Sequence, residues 1–259
     1  MSDLTERSLD LRESIVYDLR RLVAEADTVT AYREPLAAFA PADDPRFLRL
    51  RPLVSSHHLM PQELLPGAQS VISFFIPFHQ SVVLANARDR RMVAREWAVA
   101  YVETNELIAR ATAHLIDVLE TRGFRAAAEP PTNNFDPVAL VSRWSHKSVA
   151  VIAGLGSFGL HHMVITDAGC AGRFGSLVTD ACLPTTETRS QERCLYFYDG
   201  SCRACIVRCP VDALTETKGI DRQRCYARCL EVNEQFGHLG PAEVCGKCAI
   251  GPCSFTSSV

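Results

Sequence analysis

The chain has no long apolar run. Its most hydrophobic stretch, Val71 to Phe78, is far shorter than the roughly 20 residues a bilayer-spanning helix needs. The opening segment MSDLTERSLDLRESIVYDLRRL is charged throughout and reads as no signal peptide. No membrane contact is therefore expected, and the expected location is cytoplasmic. A basic excess is missing too. The formal net charge is −3, and no lysine or arginine run is dense enough to follow a phosphate backbone, so electrostatics do not favour nucleic acid. Low-complexity tracts are absent, and a composition 47% hydrophobic suits a globular protein with a real core. Cysteine is what stands out. Nine of the eleven lie between Cys194 and Cys253. In a reducing compartment such clustering points to metal rather than disulfides.

Periodicity divides the rest. Leu9, Leu11, Ile15, Val16, Leu19, Leu22 and Val23 form a helical stripe within residues 4–26. Residues 28–66 are proline-rich and mixed. Ser70 to Pro77 reads as a buried strand, and 92–122 as a long helix closed by Gly123. Residues 124–128 read as a strand and 138–152 as a helix. Short strands are expected at 163–166 and 176–179, around the glycines 169, 172 and 175. The fold class expected is α+β or α/β, with one domain over 1–186 and a cysteine-rich one over 187–259.

Cys202-Arg-Ala-Cys205-Ile-Val-Arg-Cys209-Pro210 has the C-x2-C-x3-C-P spacing that ends the bacterial ferredoxin motif. Closely spaced thiolates there grip one iron–sulfur cluster, and the cysteine before proline reaches a second. Pro210 sets φ and starts a new turn, aiming Cys209 away from its neighbours. The full motif would put its first cysteine at 199, where this chain has Asp199; Cys194 is the nearest thiol upstream. The crossover rule then assigns Cys194, Cys202, Cys205 and Cys253 to one cluster, and Cys209, Cys225, Cys245 and Cys248 to the other. Cys229 is an alternate for Cys225. Zinc is the rival, because Cys202, Cys205, Cys245 and Cys248 would also make a tetrahedral site. Cys170 and Cys182 fall outside both sets and read as packing or surface thiols.

Gly154-Leu-Gly156-Ser157-Phe158-Gly159 fits the dinucleotide pattern G-x-G-x-x-G. Its context argues against that use. The pattern needs a helix opening at the last glycine to hold the pyrophosphate, whereas three glycines soon follow here.

In combination, Gly154 to His161, Arg173-Phe174-Gly175-Ser176 with the residues to Asp180, the double cysteine set and the run from Leu59 to Ser73 resemble the epoxyqueuosine reductase family over residues 50–253. Corrinoid reductive dehalogenases share the plan. The resemblance implies a nitroreductase-like domain holding cobalamin, fed by a ferredoxin-like domain with two [4Fe–4S] clusters. It further implies that Gly154, Gly156, Ser157, Phe158, Gly159, His161, Arg173, Phe174, Gly175 and Ser176 lie near the corrinoid. The family's proton-donating aspartate precedes the glycine loop, and Asp136 is the nearest candidate, though farther upstream than the family pattern. Asp136-Pro137 reads equally as a helix-entry cap. His146, His161 and His162 could face a cofactor or donate protons. The resemblance makes the chain an oxidoreductase drawing on a low-potential donor such as ferredoxin or flavodoxin, with a small-molecule or nucleoside-like substrate. The sequence ends six residues after Cys253, short of the family's helical repeats, and tRNA is accordingly in doubt as substrate. The other reading is a ferredoxin-like carrier that reduces a separate corrinoid or redox partner protein.

Overall fold

The computed structural model describes residues 2–130, 135–187, 191–257 and 259. Helix α1 (Ser2–Ala24) carries Leu11, Ile15, Leu19 and Val23 four residues apart, and all four are buried. Strand β1 (Leu36–Pro41) follows, and two single turns, α2 (Leu50–Leu53) and α3 (Pro61–Leu64), occupy the proline-rich stretch. Strand β2 (Ser70–Pro77) is buried at every position. Beyond it lie α4 (Gln80–Ala87), the long α5 (Arg95–Thr121) and the short β3 (Ala126–Ala127). A small hairpin, β4 (Phe135–Asp136) with β5 (Val141–Ser142), leads into α6 (His146–Ala153). A second hairpin pairs β6 (Gly156–Phe158) with β7 (Val164–Thr166), and β8 (Gly172–Thr179) returns to the main sheet.

That sheet has the order β1-β2-β8-β3 with antiparallel pairing throughout, Ser70 facing Thr179 and Pro77 facing Gly172. The two-residue period of β2 feeds two cores at once. Ile72, Phe74 and Ile76 pack with α1 and α5, whereas Val71 and Phe75 pack with α6 and Trp144. A strand covered on both faces reads as an unbroken apolar run, which is why Ser70 to Pro77 is legible from sequence.

The cysteine-rich segment comprises α7 (Leu195–Asp199), α8 (Ala204–Arg208), a β9 (Leu214–Thr215) and β10 (Gly219–Ile220) hairpin, and α9 (Arg222–Phe236). It shares a core with the sheet half: Phe78, Val82, Trp97 and Ile165 pack with Val232, Phe236, Ala249 and Ile250. Lys247 locks the seam and is only 1% exposed. Its Nζ donates to the Asn86 carbonyl at 2.6 Å, to Asn86 Oδ1 at 2.8 Å and to the Asp89 carbonyl at 2.9 Å. Asn86 Nδ2 donates back to the Cys245 carbonyl at 3.1 Å. Carbonyls at a helix C-terminus form the negative end of its dipole, and with the Asp89 carboxylate nearby they compensate the buried ammonium.

Two local expectations change. The helix expected over 138–152 begins only at His146. Asp136 Oδ1 accepts the Val138 and Ala139 N–H groups, and Leu140 adopts φ 53°, a conformation that no helix continues through. Ser145 then caps α6 by accepting the Ser148 N–H. The second change is α4, which the sequence reading did not anticipate. Its buried residues Val82, Val83, Ala85 and Asn86 face more than one side, so no stripe marks it.

Replacing Lys247 with Met should leave the Asn86 and Asp89 carbonyls buried without their donor. A loss of about 2–3 kcal/mol is expected in denaturant unfolding followed anaerobically. A change of under about 0.5 kcal/mol would show that the lock contributes little.

Candidate functional site

The thiols fall into two neighbouring groups. In the first, Cys205 on α8 is buried, and its thiol is pushed up to about 12, chiefly by burial and then by the sulfurs of Cys253, Cys194 and Cys202. Cys194 stands at the N-cap of α7, half-buried. Asp199, at the other end of that helix, is exposed; its Oδ1 accepts the Ser201 N–H at 2.9 Å. Of the two candidates for the missing motif position, Cys194 is therefore the one drawn toward the other thiols.

In the second group Cys209, Cys225, Cys229, Cys245 and Cys248 line one cavity of about 210 Å³. Cys209 ends α8 in an extended conformation, and its sulfur accepts the Ala213 N–H at 3.2 Å. Burial raises the Cys248 thiol, and the sulfurs of Cys245, Cys225, Cys205 and Cys209 raise it further. Cys225 and Cys229, one turn apart on α9, share a hydrogen bond. It lowers Cys225 to about 7, with the Lys147 ammonium helping, and raises Cys229.

This donor chemistry suits a thiolate-bound metal group. Buried thiols whose ionisation is opposed by burial and by one another become thiolates once cationic iron or zinc lies among them. Sulfur dominates both sets, as iron–sulfur clusters require.

Loop geometry brings Cys253 to its group. The Cys170 N–H donates to the Cys253 carbonyl at 2.9 Å, and the Ala171 N–H to the Ser254 carbonyl at 3.2 Å. Gly169 makes that approach possible: its φ is +78°, and a Cβ there would lie 2.3 Å from the Ser254 carbonyl oxygen. Arg33 clamps the same junction, donating to the carbonyls of Phe78, Ala168 and Phe255. Cys170, read as a packing or surface thiol, is fully buried with its sulfur 3.8 Å from that of Cys253, and Cys182 is exposed.

The glycine motif ends one helix and opens none. Gly154 terminates α6 with φ 93°, and residues 156–158 pair with β7. Beside this hairpin lies an open cleft of about 620 Å³ lined by Arg46, Lys147, Val151, Phe158, His162 and Arg222, among others. Of the adjacent histidines, His162 lines the cleft, whereas His161 is buried against Cys253.

A smaller cavity of about 290 Å³, walled by Trp144, His146, Lys147, Met163, Arg173 and Phe174, lies between. Lys147 also lines the cleft, and Arg173 and Met163 also line the thiol cavity. The three spaces thus follow one another through shared walls. Arg173 lies over the Tyr101 ring, 4.0 Å from its centroid, with its buried Nε lacking a partner among the described residues. Gly175 and Ser176 continue β8 into the sheet, and Ser176 bridges Trp144 and His146.

The two expected proton donors do not converge on the cleft. Asp136 is exposed and caps its own turn, and the two N–H groups it accepts lower its pKa. His146 is buried: Nδ1 meets Ser176 Oγ at 2.8 Å, and Nε2 meets the Pro130 carbonyl at 3.3 Å. Burial lowers it to about 4, so its imidazole is neutral at pH 7. Lys147 was missed in the sequence. Its Nζ donates to the His162 carbonyl at 3.1 Å, and burial lowers its pKa while the Cys248 and Cys225 sulfurs raise it. A single lysine in the apolar run Val149 to Ala153 and its approach was the available signal.

Fold and site together define a mixed α/β protein with two adjoining thiol groups and an open cleft, the second group reaching the cleft through shared cavity walls. No family model matches the chain, and no curated protein matches it. Solved structures do. Epoxyqueuosine reductase from Bacillus subtilis is 17% identical with a TM-score of 0.61, over 95% of this chain and 65% of that one. An epoxyqueuosine reductase holding an epoxyqueuosine-modified tRNA-Tyr stem loop is 18% identical, with the same TM-score and coverage. A catabolic reductive dehalogenase bound to 3-bromo-4-hydroxybenzoic acid is 14% identical with a TM-score of 0.57, over 86% of this chain and 30% of that one. The chain spans about two thirds of the epoxyqueuosine reductases it matches. At these identities the likeness is one of fold, and the mixed α/β class expected from the sequence agrees with it. Among the described residues no helix is long and apolar enough to cross a membrane.

Two predictions follow from this geometry. Gly169→Val should displace the Cys253 segment, costing about 1–3 kcal/mol in stability; unchanged unfolding would contradict it. His146 gives a pH dependence. Its folded pKa lies below the unfolded value, so the unfolded chain binds the extra proton between pH 6.5 and about 4. Stability should fall as pH drops through that window, by about 3 kcal/mol in total from this group. His146→Gln should flatten the difference between unfolding midpoints at pH 7 and pH 5, and an unaltered pH slope would argue against it.

Proposed function

We propose that the chain is an iron–sulfur oxidoreductase of the epoxyqueuosine reductase type. The observation that carries the reading is the unbroken sequence of shared walls, from the second thiol group through Arg173, Met163 and Lys147 to the open cleft. In this reading the sheet half is nitroreductase-like and the cysteine-rich half ferredoxin-like. Cys194, Cys202, Cys205 and Cys253 hold one [4Fe–4S] cluster, and Cys209, Cys225, Cys245 and Cys248 hold the other. Cys225 is preferred to Cys229 because it faces the Lys147 ammonium. Cobalamin is assigned to the cleft beside Phe158 and His162, where Val151, Phe158 and Ile220 offer apolar surface and Arg46 and Arg222 offer charge at the edge. When bound, the clusters supply single electrons and the corrinoid combines them for a two-electron reduction.

The chain's own groups then have distinct tasks. Lys147, in the wall common to the cleft and the inner cavity, is the residue we assign to hold a proton at the cleft. His146, neutral and tied to Ser176, fixes the inner wall instead. Arg173, stacked on Tyr101, keeps a cation beside the second thiol group. The solved structure from Bacillus subtilis has an aspartate-bearing catalytic loop swung out of its active site. Asp136, exposed on the turn before α6, is the counterpart we propose for such a loop if it closes on substrate. A small or nucleoside-like substrate and a low-potential ferredoxin or flavodoxin donor complete the reading.

Anaerobic reconstitution should yield about eight iron atoms per chain, four for each cluster, with matching acid-labile sulfide. A colourless, zinc-loaded protein would end this reading. Added hydroxocobalamin should bind and change its cobalt spectrum on reduction; failure to bind, with both clusters present, would favour an electron carrier serving a separate partner. Lys147→Gln should keep its iron yet lose at least tenfold in turnover of a reducible corrinoid-dependent substrate.

A further inference from the structure

Three ligand-type atoms meet outside the cleft: His161 Nε2, Cys170 Sγ and Cys253 Sγ, all within 4.8 Å of one another. Taken by type alone they resemble three vertices of a metal site. The hydrogen bonds of the imidazole argue otherwise. His161 Nδ1 lies 3.1 Å from the Met163 backbone N–H and accepts from it. A neutral imidazole that accepts at Nδ1 carries its proton on Nε2. Binding a metal through Nε2 would move that proton to Nδ1, where it would oppose the Met163 N–H. Nε2 therefore faces the Cys253 sulfur, 3.3 Å away, as a donor rather than a ligand.

Everything around the ring holds it in that role. His161 is 3% exposed, and the β6–β7 hairpin that carries it is pinned by the Gly159 N–H donating to the Met163 carbonyl. The target is equally fixed by the backbone bonds from Cys170 and Ala171 to the Cys253 segment. The Cys170 thiol has the Ala249 carbonyl at 3.7 Å and Cys253 at 3.8 Å, so it borders the same sulfur without displacing the imidazole.

We propose that His161 is a positioning residue that donates a hydrogen bond to the Cys253 thiolate and raises the reduction potential of the cluster that this cysteine holds. The inference rests on the iron–sulfur reading above. Its physical basis is charge. One-electron reduction adds negative charge that spreads onto the ligating sulfurs, and a fixed N–H aimed at one of them stabilises the reduced form more than the oxidised form. No bond forms or breaks, and the proton stays on Nε2. The sheet half would in this way bias how readily the cysteine-rich half accepts its electron.

The test compares anaerobically reconstituted wild-type chain with His161→Leu, which removes the donor, and His161→Gln, whose amide can place an N–H near the same point. Iron and sulfide are counted first, and each cluster is then titrated against potential by electron paramagnetic resonance. At a fixed ambient potential, His161→Leu should lower the reduced-to-oxidised ratio of one cluster about tenfold, or 59 mV for a one-electron couple, and leave the other unchanged. His161→Gln should recover most of that shift. If His161→Leu fails to retain iron, wild-type iron and potential in His161→Gln still support a donor role. Full iron with an unshifted potential in His161→Leu overturns the inference while leaving the iron–sulfur reading intact. So does a shift of the same size, or the same loss of iron, in both variants. A wild-type chain that takes up no iron removes both.

Discussion

The site depends on one buried ammonium. Lys247 sits between Cys245 and Cys248 in sequence and reaches into the C-terminal end of α4, where carbonyls of the other half receive it. A lysine held in that way cannot shift without stranding several buried polar groups, which makes the register of the two flanking thiols a property of the sheet half. Arg33 does the same for Cys253 by binding carbonyls from three separate segments. The cysteine-rich half is thus seated by cations on backbone oxygen as much as by the apolar core around Trp97 and Phe236.

That seating explains how two close-set thiol groups remain distinct. Cys205 and Cys248 feel each other's charge, yet Cys209 lines the cavity of the second group and Cys205 does not. The sheet half supplies different polar groups to each set: an imidazole N–H to Cys253 and an ammonium toward Cys225.

Much of the fold was legible because its signals are local. The α1 stripe, the apolar run of β2 and the long α5 follow from periodicity, and the strand and helix appear where that periodicity puts them. Residues 138–145 were misread because a side-chain cap outweighs helical propensity. Asp136 closes a turn, Leu140 takes a left-handed conformation, and Ser145 starts the helix afresh. The short α4 has no stripe to read. Among site residues, the gathering of the thiols was legible from the cysteine spacing. Lys147 was not, because its surroundings come from neighbours distant along the chain, the Cys225 and Cys248 sulfurs among them.

By itself the sequence determined which chemistry the chain can hold. C-x2-C-x3-C-P and the later cysteines specify a thiolate-rich protein, since a short spacing and a proline constrain the backbone wherever they occur. Only the tertiary structure decided which groups meet. It turned His162 to the cleft and His161 to a sulfur, although the two are adjacent and identical in type. The physical reason is that a side chain's partner is set by long-range packing: the hairpin at 156–166 and the tail at Cys253 come together through bonds that span over eighty residues, and no local pattern encodes them.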